Sequence, residues 1–396
     1  MTSYQYPYQS KLILVTVISD LVTDYRVHKV CQSLHEAGYR VLLTGTARKG
    51  SLELKQRDYQ TDRIKLWFGR SVLFYAEYNI RLFFRLLSMK GDIYLGNDLD
   101  VMPATLLAAR LHKKPLVYDS HEYFLGMAGL ERKPIRRGIW KSFEKLLFQH
   151  LKYAYTVCDS IRNLYRREYD KKFSVVRNLT RRENKHPELS AEEKEWIASI
   201  DRRIPQNKKI LLLQGAGINA ERGAEELVFS MIFLDEARFH LLIIGGGDVF
   251  SKLEKIIQDN QLQGKITLIP KIPFSVLDHF TRQAHLGLSI DKPSVLNHRY
   301  SLPNKLFEYL HAGVPVLGSR LIEQERIIND YQVGTYIDNH QPEHIAGKIR
   351  EIFDDEDKLS TWKENTERVR EELNWENESK IIIDIFKQVE SDSVTY

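Results

Sequence analysis

Residues 301–319, SLPNKLFEYLHAGVPVLGS, join a helix to a strand and put a positive charge where a helix alone disfavours one. Pro303 suits a first helical position, Leu306, Phe307 and Leu310 continue an apolar face, and Gly313 supplies a stop. Lys305 therefore falls in the first turn. A cation there opposes the helix dipole by roughly a few tenths of a kcal/mol, whereas the free backbone N–H groups favour a bound anion. Residues three and four apart share a helix face, so Asn304, Lys305 and Glu308 offer an amide, an ammonium and a carboxylate side by side. That set suits a phosphate joined to a sugar hydroxyl. The plainer alternative is a solvated Lys305–Glu308 pair on an ordinary helix.

Around this segment, short apolar runs alternate with helix-period stretches. The runs are 12–19, 40–45, 93–96, 116–118, 155–158 and 174–176, then 210–214, 241–244, 266–269, 286–290 and 314–318. The rhythm predicts an α/β protein with two Rossmann-like domains, each a parallel sheet covered by helices. Between them, residues 180–209 are polar and charged, with Pro187 and Pro205 bracketing a short helix. The expected layout is a first domain over 1–180, a polar linker over 181–207 and a second domain over 208–374. A last amphipathic helix over 375–396, carrying Ile381, Ile382, Ile385 and Phe386, needs a surface to cover and is expected to cross back to the first domain.

Composition narrows the classes. The 396 residues are 43% hydrophobic and 28% charged, which suits a globular protein and neither a disordered nor a membrane-spanning one. No run approaches the roughly 20 apolar residues a bilayer requires, and 12–18 reads as a buried strand rather than a signal peptide. Cys31 and Cys158 form no CxxC or Cys/His group, so neither a disulfide framework nor a zinc site is expected, and the protein reads as cytoplasmic. Residues 131–153 hold seven Lys or Arg against Glu131 and Glu144, an excess equal to the whole-chain net charge of +5. Ile135, Ile139, Trp140, Phe143, Leu146, Leu147 and Leu151 recur there at helical spacing, which makes a basic amphipathic helix of the type that lies on anionic membranes. The alternative is a helix that packs its stripe on the sheet and shows solvent a basic face. Nucleic acid is not favoured, because the basic residues are not interleaved with aromatics in a recognisable module.

Ligands of open parallel sheets bind beyond the C-terminal strand ends, and the informative loops fall there. QGAGINAERG, 214–223, has Gly215 and Gly217 where a loop can approach a ligand closely, then Arg222 at a helix start, a second cation in the unfavourable place. Gly245, Gly246 and Gly247 follow another strand, but Phe250 breaks a GxGxxG dinucleotide fingerprint, leaving a tight turn with an Asp248 cap as the alternative. In the first half, VYDSHEYF places His121 and Glu122 after a strand, where His121 is a candidate to donate to an anionic oxygen or shuttle a proton, or a structural hydrogen-bonder. Asp98 and Asp100 in NDLD match a metal-holding DxD, but Asp at a helix start is also a routine cap, and the cap is the favoured alternative.

Together, SLPNKLFEYLHAGVPVLGS, QGAGINAERGAEELVFSM, VYDSHEYF and LGNDLDVMPATLLAARL resemble the group 1 glycosyltransferases, over nearly the whole chain and in the same order. The resemblance implies retaining, metal-independent transfer on the GT-B architecture, two parallel-sheet domains facing across a cleft. It implies an N-terminal acceptor domain, a C-terminal domain for a nucleotide-diphosphate sugar, and a glycan or lipid-linked acceptor, with no cofactor beyond the donor. By the same resemblance Arg222 and Lys305 look like the residues on the donor diphosphate, and Glu308 like the carboxylate on the ribose hydroxyls. Gly215, Gly217, Gly245, Gly246 and Asn304 complete the donor side. His121 resembles the cleft histidine facing the transferred sugar, and Asp24, Asp98 and Glu122 fall on the acceptor side. The chain departs from the pattern at Tyr300, where a second glutamate is common, and at Ala216, where an arginine is common. Phosphate binding then rests more heavily on Arg222, Lys305 and the helix N-terminus. An epimerase or hydrolase of the same fold, and a non-catalytic nucleotide-sugar-binding partner, remain alternatives.

Overall fold

The structure is a computed structural model that describes residues 10–48, 50–69, 72–182 and 189–394. It divides into two compact units, Met1–Asn178 with Asn377–Tyr396, and Leu179–Glu376. The first unit is built on seven strands: β1 (Leu12–Asp20), β2 (Arg40–Ala47), β3 (Gln60–Lys65), β4 (Ile93–Asn97), β5 (Leu116–Ser120), β6 (Tyr153–Thr156) and β7 (Ser174–Val175). They pair in parallel in the order β3-β2-β1-β4-β5-β6-β7. The second unit has β8 (Lys209–Gly215), β9 (Phe239–Gly245), β10 (Ile266–Ile269), β11 (Leu286–Ser289), β12 (Val316–Ser319) and β13 (Gly334–Ile337), parallel in the order β10-β9-β8-β11-β12-β13.

The strands form where apolar runs can be buried on both faces, as a helix-covered parallel sheet demands. In the second unit Leu211, Leu213, Leu241 and Ile243 enter one core, while their neighbours Ile210, Leu212, Leu242 and Ile244 enter the other on the opposite face. In each sheet the strand order reverses beside the first strand, between β1 and β4 and between β8 and β11. The crevice at such a switch point is where open α/β sheets take ligands.

The structure adjusts several expectations. Strands β3 and β13 lie at sheet edges and are absent from the sequence reading. Strand β6 begins two residues earlier than the apolar run suggests, and Cys158 becomes the N-cap of the next helix. The supposed linker holds a helix, Ala191–Asp201, opened by a Ser190–Glu193 capping box, and its Ile197 and Ile200 are buried with Ile204 in the second unit's core. Pro187 lies outside the described residues. The basic helix runs over Pro134–His150. It buries Leu147 and Phe148, yet Ile135, Ile139 and Leu146 stay 81%, 66% and 51% exposed, so its apolar stripe is only partly docked. Of the final helix, Trp375–Val394, the part from Asn377 belongs to the first unit: Phe386 packs edge-on to Tyr39, and Glu378 pairs with Arg177.

Candidate active site

In the second unit the site forms at the ends of β8 and β11. Gly223 has φ +77°, and a Cβ there would lie 2.3 Å from the Ile290 carbonyl oxygen, so only glycine lets the two loops meet. Lys292 N–H donates to the Glu221 carbonyl at 3.0 Å across the same contact. This docking brings Arg222 beside the residue that follows Ile290, Asp291, with 3.4 Å between Nη1 and Oδ2. The helix Asn304–His311 approaches from the other side, and Lys305 Nζ donates to Asp291 Oδ1 at 3.2 Å. Arg222 and Lys305 thus converge on one fully buried carboxylate. They are not the lone cations that their positions in sequence suggest. Arg222 also precedes its helix, Ala224–Ser230, by two residues rather than starting it, and Pro303 is an N-cap rather than a first helical residue. Asn304 opens the helix, exposed.

Glu308, one turn beyond Lys305, is held against the end of β8: Gln214 Nε2 donates to its carboxylate at 2.6 Å, while Gln214 Oε1 accepts from Thr281 at 2.8 Å. Glu308 and Gln214 border a cavity of about 100 Å³ with Phe274, Arg282 and Arg370. Gly215 ends β8, and Gly217 lies in the loop after it. Gly245, with φ +152°, lies so close to the Gly215 carbonyl that a Cβ would meet it at 1.9 Å, and Gly246 packs on the Lys271 side chain. Gly245 and Gly246 first serve loop-on-loop packing, whereas a Cβ at Gly215 or Gly217 would meet only Ile218 at 3.9 Å or Asn219 at 3.3 Å in the loop after β8. His298 lies nearby, kept below its ordinary pKa by burial and then by the Arg222 charge.

In the first unit the loops after β1, β4 and β5 gather a second set. His121 follows β5, and both ring nitrogens face carboxylates: Nδ1 lies 3.2 Å from Asp98 Oδ2 and Nε2 3.1 Å from Asp119 Oδ2. Burial alone would lower its pKa, but Asp98 and Asp119 outweigh burial and raise it to about 9. The imidazole is therefore a cation at neutral pH, with both N–H groups committed, an arrangement suited to fixed positive charge rather than to shuttling a proton. Asp119 is gripped from behind by buried Arg26, Nη2 to Oδ1 at 2.8 Å and Nε to Oδ2 at 3.2 Å.

The expectation that Asp98 and Asp100 cap the following helix is not met. That helix, Met102–Leu111, has Val101 at its N-cap and no side-chain cap bond. Asp98, at φ +63°, instead accepts the His121 backbone N–H at 2.8 Å. Asp24 is the true cap, of Tyr25–Glu36, accepting from Val27 N–H at 3.0 Å and from the Ser19 hydroxyl. Glu122 adjoins His121, and its carbonyl accepts from Ser120 at 3.0 Å. Among the described residues no group of three or more His, Cys, Asp or Glu is arranged to hold a metal ion, and no helix is long and apolar enough to cross a membrane. Asp291, Asp119, Arg26 and Gln214 were not singled out by sequence. A signal for the first existed: an aspartate directly after the buried run LGLSI, at a strand end, needs a cation.

Two family profiles match: glycosyl transferases group 1 over residues 182–369, and glycosyltransferase family 4 over residues 24–180. Together the two matches, one in each unit, indicate a group 1 glycosyltransferase family, on a GT-B fold. No curated protein sequence matches it. Among solved structures it is similar to a sucrose-phosphate synthase from Thermosynechococcus elongatus, with TM-score 0.77, 16% identity, and coverage of 96% of this chain and 100% of that one. It is also similar to HepE from Anabaena in complex with UDP-glucose, with TM-score 0.70, 11% identity, and coverage of 98% and 100%. The UDP-GlcNAc 2-epimerase of Neisseria meningitidis bound to UDP-GlcNAc shares the fold, with TM-score 0.60, 16% identity, and coverage of 96% and 100%.

Proposed function

We propose that the chain is a retaining glycosyltransferase that moves a sugar from a nucleoside-diphosphate donor to a hydroxyl of a glycan or lipid-linked acceptor in cell-surface glycan assembly. One observation supports this above the others: Arg222 and Lys305, 83 positions apart in sequence, converge beside the switch point of a parallel sheet, with the Glu308 carboxylate one turn away. Cleaving the bond from the anomeric carbon to the diphosphate builds negative charge on the leaving oxygen, which preorganised cations stabilise. The acceptor oxygen then bonds to the anomeric carbon from the face the phosphate leaves, and its proton passes to the departing phosphate oxygen. Arg222 and Lys305 carry the diphosphate charge, Glu308 accepts from ribose hydroxyls, and Gly215, Gly217, Gly245, Gly246 and Asn304 line the donor loops. The His121 imidazolium supplies fixed positive charge on the acceptor-side unit, with Asp24, Asp98 and Glu122 around it. No protein nucleophile and no metal enter this scheme.

Lys305→Ala and Arg222→Ala each lower turnover about a hundredfold, by analogy with loss of one preorganised donor. The measurement is sugar release and transfer from a panel of nucleotide sugars, and near-wild-type rates in either variant contradict the scheme. The likeness in fold to an epimerase motivates a second reading in which the same donor site epimerises or hydrolyses the nucleotide sugar. Incubation with donor alone separates the two, since rapid conversion without acceptor favours the second.

A further inference from the structure

We infer that Asp291 is a positioning residue for the two diphosphate cations and a permanent counter-charge that weakens the site's hold on the nucleoside diphosphate; the inference rests on the donor site proposed above. Asp291 is fully buried, whereas Arg222 is 32% and Lys305 13% exposed, so the carboxylate lies beneath the cations and a ligand meets the cations first. Its Oδ1 accepts from Lys305, while Oδ2 has no hydrogen bond and faces Arg222 as a charge contact only. The loop that carries it is pinned on either side. His340 Nε2 contacts the Ile290 carbonyl at 3.0 Å, and Lys292 pairs with Glu226 while its N–H holds Glu221. A residue so fixed cannot swing outward to follow or avoid a ligand.

Two consequences follow from charge alone. Without the carboxylate, two cations at one point repel each other and spread while the site is empty, and only a bound diphosphate, itself an anion, draws them together; the shared counter-charge holds them in place before the ligand arrives. With it, the three groups sum to +1 instead of +2, so the diphosphate binds less tightly than two bare cations would bind it. A transferase that must release its nucleoside diphosphate after each turnover needs such a limit, because product release often sets the rate.

The test is calorimetric titration of the full chain with UDP and with uridine, in wild type and Asp291→Asn. Asparagine keeps the shape and removes the charge. The expected result is UDP binding about threefold or more tighter in the variant, with uridine, which carries no phosphate, unchanged. Unchanged or weaker UDP binding overturns the inference, and weaker binding is what simple loosening of the fold would give. If wild type does not bind UDP, the same titration uses GDP, ADP and TDP. Failure of all of them in wild type contradicts the donor site itself, and with it the role of Asp291. If the variant does not fold, the wild-type complex with the bound diphosphate decides. Asp291 is expected to stay within about 4 Å of both cations, and its displacement by the phosphate overturns the inference.

Discussion

At the scale of single residues, two candidate-site clusters each set one charged group between two of opposite sign. Asp291 lies between Arg222 and Lys305, and His121 between Asp98 and Asp119. The second arrangement makes a prediction with a definite sign. The folded pKa of His121, about 9, lies above the ordinary histidine value, so its contribution to stability is complete below about 6.5 and is lost as pH rises through about 9. Urea unfolding between pH 6 and pH 10 is expected to show wild type losing more stability across that window than His121→Asn, and a ring-proton titration to place the midpoint near the upper end. A midpoint at or below that of a free histidine contradicts the arrangement. Lys305 and Arg222 could be singled out in the sequence as cations read at helix starts, Glu308 because it shares a helix face with Lys305, and His121 because it follows a strand. Arg26 and Asp119 could not, since their pairing spans 93 positions and exists only once β5 and the first helix are packed. Nor could the use of Asp98, whose left-handed backbone aims its carboxylate at His121 instead of the helix it precedes in sequence.

Among the elements, legibility follows burial. Strands β1, β8 and β9 are apolar almost throughout because both faces are covered, and such runs stand out. Strand β3, QTDRIK, buries only Ile64 and pairs on one side, so it carries neither a run nor a clean alternation, and four-residue β13 is too short to show one. The helix Pro134–His150 was legible as basic and amphipathic, but how much of its stripe meets the core depends on tertiary packing. With Ile135, Ile139 and Leu146 exposed among Lys and Arg, it is proposed to rest on an anionic membrane, placing the transferase at a lipid-linked acceptor. Flotation with vesicles of mixed neutral and anionic lipid at low salt is expected to carry wild type and to leave Ile135→Glu/Ile139→Glu behind. Equal flotation of both, or of neither, contradicts membrane docking by this helix.

At the scale of the whole molecule, two sheets built in the same strand order were readable as a repeated alternation of strand and helix, and the motifs that carry the family resemblance lie at strand ends in each. The boundary was harder. Residues 191–204 look like a linker because charged side chains outnumber apolar ones, yet Ile197, Ile200 and Ile204, spaced along one face, suffice to anchor the stretch in a core. What the molecule does turns on whether the corner made by Arg222, Lys305 and Glu308 holds a nucleoside diphosphate. The most direct measurement is thermal unfolding of wild type and Lys305→Ala against a panel of nucleoside di- and monophosphates. A ligand that binds only the native state raises the midpoint by mass action. One diphosphate is predicted to raise the wild-type midpoint more than its monophosphate does and to lose most of that effect in Lys305→Ala. A wild-type midpoint indifferent to every diphosphate, or a shift that Lys305→Ala leaves intact, would contradict it.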